Sequence, residues 1–253
     1  MTIGAFLDLF KFKKELAGYV GVEREHFLVA QNGELVPRSK DFLDKMGDPR
    51  WTYELSACQV ESRTRPRKDL SVVKLELLEN DNNGRLIAEN FHLRLMNMEV
   101  APDDMPLDVY PLPRYLEIVS RISKAELLAA CQVTGTHLHF GVRNMAEAIT
   151  LHNKLILYLE KLCELGDRSA GKRIQRYKKM AKNWLPPAYS GLKNFYEMAI
   201  AQGFVDNPKN CWHLIRISAH GTVELRMFGV TDNLDEIIFW IEFVNSIRKG
   251  GAR

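Results

Sequence analysis

The chain has 253 residues, of which 46% are hydrophobic and 26% are charged. This composition is typical of a globular protein that is large enough to bury a core. Its 35 Lys and Arg residues against 32 Asp and Glu give a formal net charge of +3, which is too small to indicate a nucleic-acid partner. Apolar runs such as residues 237–241 are too short to span a bilayer, so no membrane partner is expected.

Four cysteines, Cys58, Cys131, Cys163 and Cys211, lie far apart and form no CxxC pair. This spacing argues against a disulfide framework and against a zinc site, and it favours reduced thiols. The first residues also lack the basic start, apolar centre and small-residue cleavage site of a signal peptide. The sequence therefore predicts a cytoplasmic protein.

In the amino-terminal half, alternating and periodic apolar residues predict strands and helices in turn. The predicted elements are a strand at 21–30, an extended stretch at 51–64, a helix from residue 70 and a strand at 93–100. Residues 80–84 of this helix are either a break or a polar patch inside a long helix. Pro113 favours a helix over residues 112–131, because proline is tolerated in a first helical turn.

In the carboxy-terminal half, a strand at 136–142 precedes the most regular apolar stripe of the chain. Asn144 is a good N-cap for this helix, which is predicted over 145–165. A helix at 189–203, paired strands at 212–217 and 222–228, and a last helix capped by Asp232 follow. Helices that separate strands, with one hairpin, predict an α+β fold. No repeat or linker interrupts the chain, so we expect one domain over residues 1–253.

Pairs of polar residues at positions i and i+2 recur in four of the extended stretches, so that both members of a pair share one strand face. These residues are Glu23 and Glu25, Gln59 and Glu61 with Glu54 before them, His137 and His139, and Glu224 and Arg226. Each pair taken alone is explained by a solvated sheet face, a structural histidine or a weak ion pair. Together on one sheet they predict a cup of oxygen and imidazole ligands for Mg²⁺ or Mn²⁺.

The same residues lie in motifs that resemble glutamate–cysteine ligase family 2, the carboxylate–amine ligases. The matching segments keep the order of that family and run from residue 21 to about residue 244. They are GVEREHFLV at 21–29, ELSACQVESRTRP at 54–66, PRY at 113–115, GTHLHFGV at 135–142, CWHLIRISAHGTVELRMF at 211–228 and TDNLDEI at 231–237, where the closing helix of the family starts.

The resemblance implies a glutamine-synthetase-like fold, which is a curved, mainly antiparallel sheet with helices on its convex face. It implies one group of metal ligands at Glu25, Glu54 and Glu61, and a second group, nearer ATP, at Glu23, His137 and Glu224. It further implies that nucleotide or substrate oxygens are bound by His139, Arg226, Arg216 and Arg63, and that Arg226 and Glu61 act in catalysis.

The activity implied is an ATP- and Mg²⁺-dependent ligation, with Mn²⁺ as an alternative metal. A carboxylate, expected to be the γ-carboxyl of glutamate, is phosphorylated to an acyl phosphate and then attacked by an amine such as that of cysteine. Metal ions neutralise the charge of the phosphates in such reactions. The expected partners are small amino-acid substrates, and the sequence leaves open whether the chain forms a homo-oligomer.

The chain departs from the family pattern in a shortened region before Trp212. A basic segment at residues 168–182 lies in this region. It is interpreted either as an amphipathic surface helix with solvated lysines or as a segment that binds an acidic substrate. Two alternatives to the ligase also remain. One is a catalytically silent paralogue that binds a nucleotide or peptide, and the other is a phosphotransferase on the same sheet. Measurements of ADP release and of the product mass distinguish the ligase, the silent paralogue and the phosphotransferase.

Overall fold

A seven-stranded antiparallel sheet forms the centre of the computed structural model, which describes residues 1–251. Residues 252 and 253 of the expected domain lie outside the described part. The strand order is β2-β3-β1-β5-β7-β6, and β4 pairs with the far end of β1. The strands are β1 (Val20–Ala30), β2 (Trp51–Tyr53), β3 (Gln59–Arg63), β4 (Leu93–Met96), β5 (Thr136–Gly141), β6 (Ile215–Ser218) and β7 (Thr222–Phe228).

Helices pack around this sheet. In chain order they are α1 (Ile3–Leu7), α2 (Ser39–Met46), α3 (Leu70–Glu89), α4 (Pro113–Val119), α5 (Lys124–Cys131), α6 (Met145–Ile156), α7 (Leu159–Gly166), α8 (Lys172–Met180), α9 (Leu192–Ala201) and α10 (Leu234–Lys249). The main core joins Val22, Leu138 and Leu225 of the sheet to Ile149 of α6 and Trp240 of α10. The predicted α+β class is confirmed.

The two faces of the sheet differ because side chains alternate along a strand. Val22 and Leu138 are register partners and face the helices. Their neighbours Glu23 and His137 are also register partners, and they face the opposite side. The pairing therefore collects polar side chains from several strands on the face that the main helical core does not cover.

The structure corrects two predictions in the first third of the chain. The stretch at 51–64 is not one strand but the antiparallel pair β2 and β3, and Glu54 lies in their connection. Of the two interpretations of residues 80–84, the break is wrong and the polar patch inside a long helix is confirmed, because α3 continues through them. Its polar residues find partners inside the fold: Asn80 donates to the carbonyl of Arg63 at 2.9 Å, and Asp81 accepts from Arg24 at 2.6 Å.

Two predicted long helices are each divided. The helix at 112–131 is split into α4 and α5, and α5 begins at a capping box in which Ser123 and Glu126 satisfy each other's backbone N–H groups. The helix at 145–165 is split into α6 and α7 around Leu157, whose side chain is 82% exposed. Asn144 does cap α6, accepting from the N–H of Glu147 at 3.0 Å.

Other boundaries shift by a few residues. The strands predicted at 93–100, 136–142 and 212–217 are shorter than expected, and so is the helix predicted at 189–203. The last helix is capped by Asn233, which accepts from the N–H of Asp235, and not by Asp232. Asp232 instead accepts from the amide of Asn97 at 2.7 Å. No helix within residues 1–251 is long and apolar enough to cross a membrane.

Candidate active site

The polar face of the sheet lines a cavity of about 580 Å³. All of the predicted site residues except Glu25 line this cavity: they are Glu23, Glu54, Glu61, Arg63, His137, His139, Arg216, Glu224 and Arg226. Glu25 is buried beneath it, where its carboxylate accepts from the backbone N–H of Gly135 at 2.6 Å. The structure thus brings together every side chain that the sequence predicted for this site.

The first cluster contains Glu25, Glu54 and Glu61, each of which offers an oxygen within 4.8 Å of the others. Burial and the charge of Glu61 raise the pKa of Glu25 to about 7. Burial and the charge of Glu25 likewise raise the pKa of Glu54 to about 7. Burial, with Glu23 and Glu54 nearby, raises the pKa of Glu61 well above its usual value. Three carboxyls in this state fit a cation, because a divalent ion offsets their mutual repulsion.

Two further clusters share Glu23. One consists of Glu23, His139 and Glu224, and the other of Glu23, Glu61 and His137. The sequence grouped His137 with Glu224, whereas in the structure His139 is the register partner of Glu224. His137 lies instead beside the two glutamates of β1, with 3.6 Å from its ring nitrogens to Glu23 and to Glu25.

Two buried imidazole nitrogens lack a hydrogen-bond partner within the described residues: Nδ1 of His137 and Nε2 of His139. Both lie near the same oxygen of Glu23, at 3.6 and 3.2 Å. The other ring nitrogen of His139 is held by the hydroxyl of Thr222 at 2.9 Å. A hydrogen bond to one ring nitrogen orients an imidazole whose other nitrogen binds a metal. These donors fit a divalent cation.

The surroundings of Glu23 shift the pKa values of His137 and His139 in opposite directions. Burial and the nearby Arg226 lower the pKa of His137 to about 4. His139 is also buried, but Glu23 and Glu224 raise its pKa above the usual value. Burial alone would raise the pKa of Glu23, yet the two histidines hold it well below its ordinary range. A neutral His137 keeps a lone pair available for a cation.

Glu224 lies between two guanidinium groups at the β6–β7 end of the cavity. Arg216 donates to one of its oxygens at 2.7 Å, and Arg226 donates to the other at 2.5 Å. Although Glu224 is fully buried, these two charges hold its pKa far below the usual value. Arg226 also donates to the hydroxyl of Tyr177 at 3.3 Å. Both guanidinium groups are therefore fixed in place and face the cavity.

Arg63 lies at the opposite side of the cavity, where β3 ends. Its Nε donates to Glu61 at 2.6 Å and lies 3.7 Å from Glu23. Its side chain is 45% exposed, so it can also reach a ligand in the solvent-facing part of the cavity. A planar guanidinium suits either a carboxylate or a phosphate.

A second cavity of about 500 Å³ adjoins the first, and Glu23, Arg63, His139 and His220 line both. Its remaining walls mix cations with apolar groups. They are formed by Lys11, Lys13, Leu16, Tyr19, Gly21, Val22, Thr64, Pro66, Gly141 and Thr222.

Some cavity residues were given no role by the sequence interpretation. Tyr115 stands edge-on to Tyr53 at 5.9 Å, and burial together with Glu54 and Glu61 raises the pKa of its hydroxyl. Trp212 lies 6.0 Å from the guanidinium of Arg226. The PRY and CWH motifs contain these two residues and were the available signal. Lys209 also lines the cavity, and no motif indicated it.

The basic segment at 168–182 agrees with the surface-helix interpretation in its lysines, because α8 runs through it and Lys172, Lys178, Lys179 and Lys182 are exposed. It departs from that interpretation at Arg173. None of its basic residues, which are Arg168, Lys172, Arg173, Arg176, Lys178, Lys179 and Lys182, lines the described cavity. Lys178 lies over the ring of Trp184 at 4.1 Å, and Arg176 pairs with Asp103 at 2.8 Å. Arg173 is not a surface residue at all, since it is only 2% exposed.

Comparison with known proteins gives a consistent family. The sequence profile of glutamate-cysteine ligase family 2 (GCS2) matches residues 19–160. The glutamate–cysteine ligase of Haloferax volcanii is 22% identical over 256 residues, covering 91% of this chain and 70% of the relative. The putative glutamate–cysteine ligase 2-2 of Mycolicibacterium vanbaalenii is 28% identical, covering 89% of this chain and 66% of the relative.

Solved structures show the same fold. A bifunctional glutathione synthetase from Pasteurella multocida superposes with a TM-score of 0.60 at 13% identity, covering 96% of this chain and 40% of that one. The glutamine synthetase of Plasmodium falciparum superposes with a TM-score of 0.50 at 10% identity, covering 98% and 54%. The expected glutamine-synthetase-like fold is confirmed, and the chain spans less than two thirds of either structure.

Proposed function

The chain belongs to glutamate–cysteine ligase family 2, and from this membership we propose that it is an ATP- and Mg²⁺-dependent ligase that forms an amide from a carboxylate and an amine. The proposed carboxylate is the γ-carboxyl of glutamate, and the proposed amine is that of an amino acid such as cysteine. The observation that carries the proposal is the group of three carboxyls, Glu25, Glu54 and Glu61, whose pKa values are all raised.

The reaction needs two anions to approach each other. A carboxylate oxygen of the substrate attacks the γ-phosphorus of ATP, which releases ADP and leaves an acyl phosphate. The amine then attacks the acyl carbon, expels inorganic phosphate and loses a proton. Divalent ions held by the three glutamate and histidine clusters would neutralise phosphate charge and fix the geometry. Glu23 and Glu61 each belong to two of these clusters, so we assign these two residues the central places among the proposed metal ligands.

Arg226 and Arg216 are proposed to stabilise the phosphoryl group in transfer. Both face the cavity from the side of Glu224, so their donors are oriented before a ligand arrives. Such preorganised charge stabilises a transition state without reorganisation at the moment of reaction. Arg63, opposite them, is proposed to bind the substrate carboxylate or a phosphate.

The second cavity is proposed to hold the nucleoside part of ATP. It opens onto the first cavity at Glu23 and His139, and its apolar walls include Leu16 and Tyr19. Lys11 and Lys13 lie at the same cavity, where an ammonium group favours an anionic ligand. This arrangement would direct the phosphates toward the metal ligands.

The cytoplasm is the proposed location of this activity. All four cysteines are free, as expected of a protein that works under reducing conditions. The substrates that we propose are small molecules.

The first experiment measures ADP release from MgATP and glutamate, with amines added one at a time and products identified by mass. An amide product would support the ligase. Tight MgATP binding without turnover would instead favour a silent binding paralogue, the alternative that the shortened region before Trp212 leaves open.

Substitution of Glu61 or His137 by alanine tests the site directly. Each variant should lose at least 100-fold in ADP release, about what removal of a group close to the transferred charge costs. The circular dichroism spectrum should stay unchanged. Asp44→Ala, which removes only an exposed ion pair with Lys40, is the matched control. Full activity in both site variants would contradict the assignment.

A further inference from the structure

Arg173 is the buried exception in the basic segment. Its guanidinium lies inside the protein and donates to three backbone carbonyls: Nε to Thr134 at 2.6 Å, Nη1 to Met227 at 3.0 Å and Nη2 to Arg226 at 3.1 Å. Only 2% of the residue is exposed, and it is absent from the lining of the described cavities. An arginine in this position does not touch substrate, so its role must be exerted through its neighbours.

Those neighbours form an irregularity in the sheet. Thr136 pairs with Phe228, whereas Leu138 pairs with Leu225. One residue of β5, His137, therefore lies opposite two residues of β7, Arg226 and Met227. This two-against-one arrangement is a β-bulge, which disrupts the local ladder and changes the direction of side chains.

Two site residues, His137 and Arg226, lie at this bulge. In an unbroken antiparallel pairing continued from His139 and Glu224, His137 would stand directly opposite Arg226. The bulge breaks that pairing, and both side chains still line the cavity. The guanidinium of Arg173 donates to both bulge residues of β7 and to Thr134 just before β5, so it joins the two strands across the irregularity.

The guanidinium of Arg173 also packs closely against the backbone at Gly135. A Cβ at Gly135 would lie 2.1 Å from its Nη2 atom, so glycine is required there for the guanidinium to approach. The N–H of the same glycine donates to Glu25 at 2.6 Å. Arg173 thus also packs on the short segment that holds Glu25, a carboxylate of the first cluster.

We propose that Arg173 is a positioning residue that fixes the β-bulge between β5 and β7, and so sets the position of Arg226 relative to His137 in the cavity. The catalytic part of this inference rests on the proposed function. Lysine cannot replace it fully, because three carbonyls in a fixed fork match the planar guanidinium and not a single ammonium group.

The test compares Arg173→Met and Arg173→Lys with Arg176→Met, a change on the same helix that removes only the partly exposed pair with Asp103. We expect kcat to fall about 10- to 100-fold in Arg173→Met, as for a misplaced catalytic group. The KM for ATP should change less than about threefold, because that binding does not involve Arg173. Arg173→Lys should recover part of the loss.

A second comparison separates positioning from simple loss of stability. If Arg173 acts through Arg226, then Arg173→Met should cost little further kcat in an Arg226→Lys background. Fully additive losses in the double variant, or a kcat of Arg173→Met within twofold of Arg176→Met, would overturn the proposal.

A third measurement does not depend on turnover. Hydrogen exchange should rise in Arg173→Met at residues 134–137 and 225–228, and remain unchanged in α10. Equal protection in Arg173→Met and Arg176→Met would overturn the positioning role. If the wild-type protein releases no ADP, the proposed function fails, while the exchange measurement still decides whether Arg173 fixes the bulge.

Discussion

At the scale of single residues, the first carboxyl cluster is held together at an electrostatic cost. Glu25, Glu54 and Glu61 repel one another when ionised, and burial adds to the cost of each charge. Arg173 and Arg226 partly offset this for Glu25. A folded protein without bound cations should therefore gain stability when one of these charges is removed.

Glu25→Gln tests this cost. The pKa of Glu25 in the folded protein is raised from 4.5 to about 7. The cost of its charge is therefore absent below about pH 4.5 and complete above about pH 7. In EDTA, the variant should be more stable than the wild type by about 1–3 kcal/mol at pH 8, and the difference should be small at pH 5. Urea unfolding at both pH values measures it.

The same variant should behave oppositely when cations are present. With Mn²⁺ added at pH 8, the wild type should gain more stability than Glu25→Gln, because the variant has lost a charged ligand. A variant that is less stable than the wild type in EDTA at pH 8 would show that the arginines outweigh the repulsion.

At the scale of elements, α3 shows how polar residues can belong to a buried helix. Asp81 of α3 pairs with Arg24 of β1, whose side chain is fully buried. The second nitrogen of that guanidinium donates to the carbonyl of Thr231 at 2.8 Å. The pair therefore ties the helix to the sheet from the side opposite the cavity.

Asp81→Ala should be strongly destabilising, because it leaves the Arg24 charge buried without its partner. Such losses are about 3–5 kcal/mol, and urea unfolding measures them. Asp44→Ala, which removes an ion pair with both side chains more than half exposed, should cost less than about 1 kcal/mol. Similar losses in the two variants would mean that water reaches Arg24 in the folded protein.

The elements also show what the sequence could predict. Strand faces came out correctly, since period-two pairs such as Glu23 and Glu25 depend only on alternation. Helix interruptions did not. The segment around Asn80 looks like a loop because its partners, Arg24 and the carbonyl of Arg63, are distant in sequence. The split at Leu157 has no local signal, because leucine favours helices.

The site was predictable as a set of residues but not as a set of distances. That His139 joins Glu224 follows from the register of β5 on β7. The bulge there is invisible in the sequence, since it depends on a buried arginine from another element. For the same reason Arg173 was grouped with surface cations.

At the scale of the whole molecule, the cavity is assembled from segments that are far apart in the chain. β1, β3, β5 and β7 all contribute candidate metal ligands, and the amino-terminal Lys11 and Lys13 reach the adjoining cavity. Binding of a ligand to such a site is linked to folding of the entire sheet, because the unfolded chain cannot reproduce it.

Bound metal and nucleotide should therefore stabilise the whole sheet against unfolding. MgADP at 100 times its Kd should raise the free energy of unfolding by about 2.7 kcal/mol. Differential scanning calorimetry with and without EDTA would measure the change in melting temperature. An unchanged melting temperature under conditions of proven MgADP binding would mean that the ligand also binds the unfolded chain.

The antiparallel order has a consequence for the growing chain. β5 lies between β1 and β7, so the sheet can bring β1 and β5 together before β7 has been made. Glu224 and Arg226 are synthesised last among the candidate site residues. Until they pair with β5, the polar face is incomplete and carries excess negative charge. A nascent chain that ends before residue 224 would thus lack Glu224 and Arg226, and with them part of the proposed phosphate-binding site.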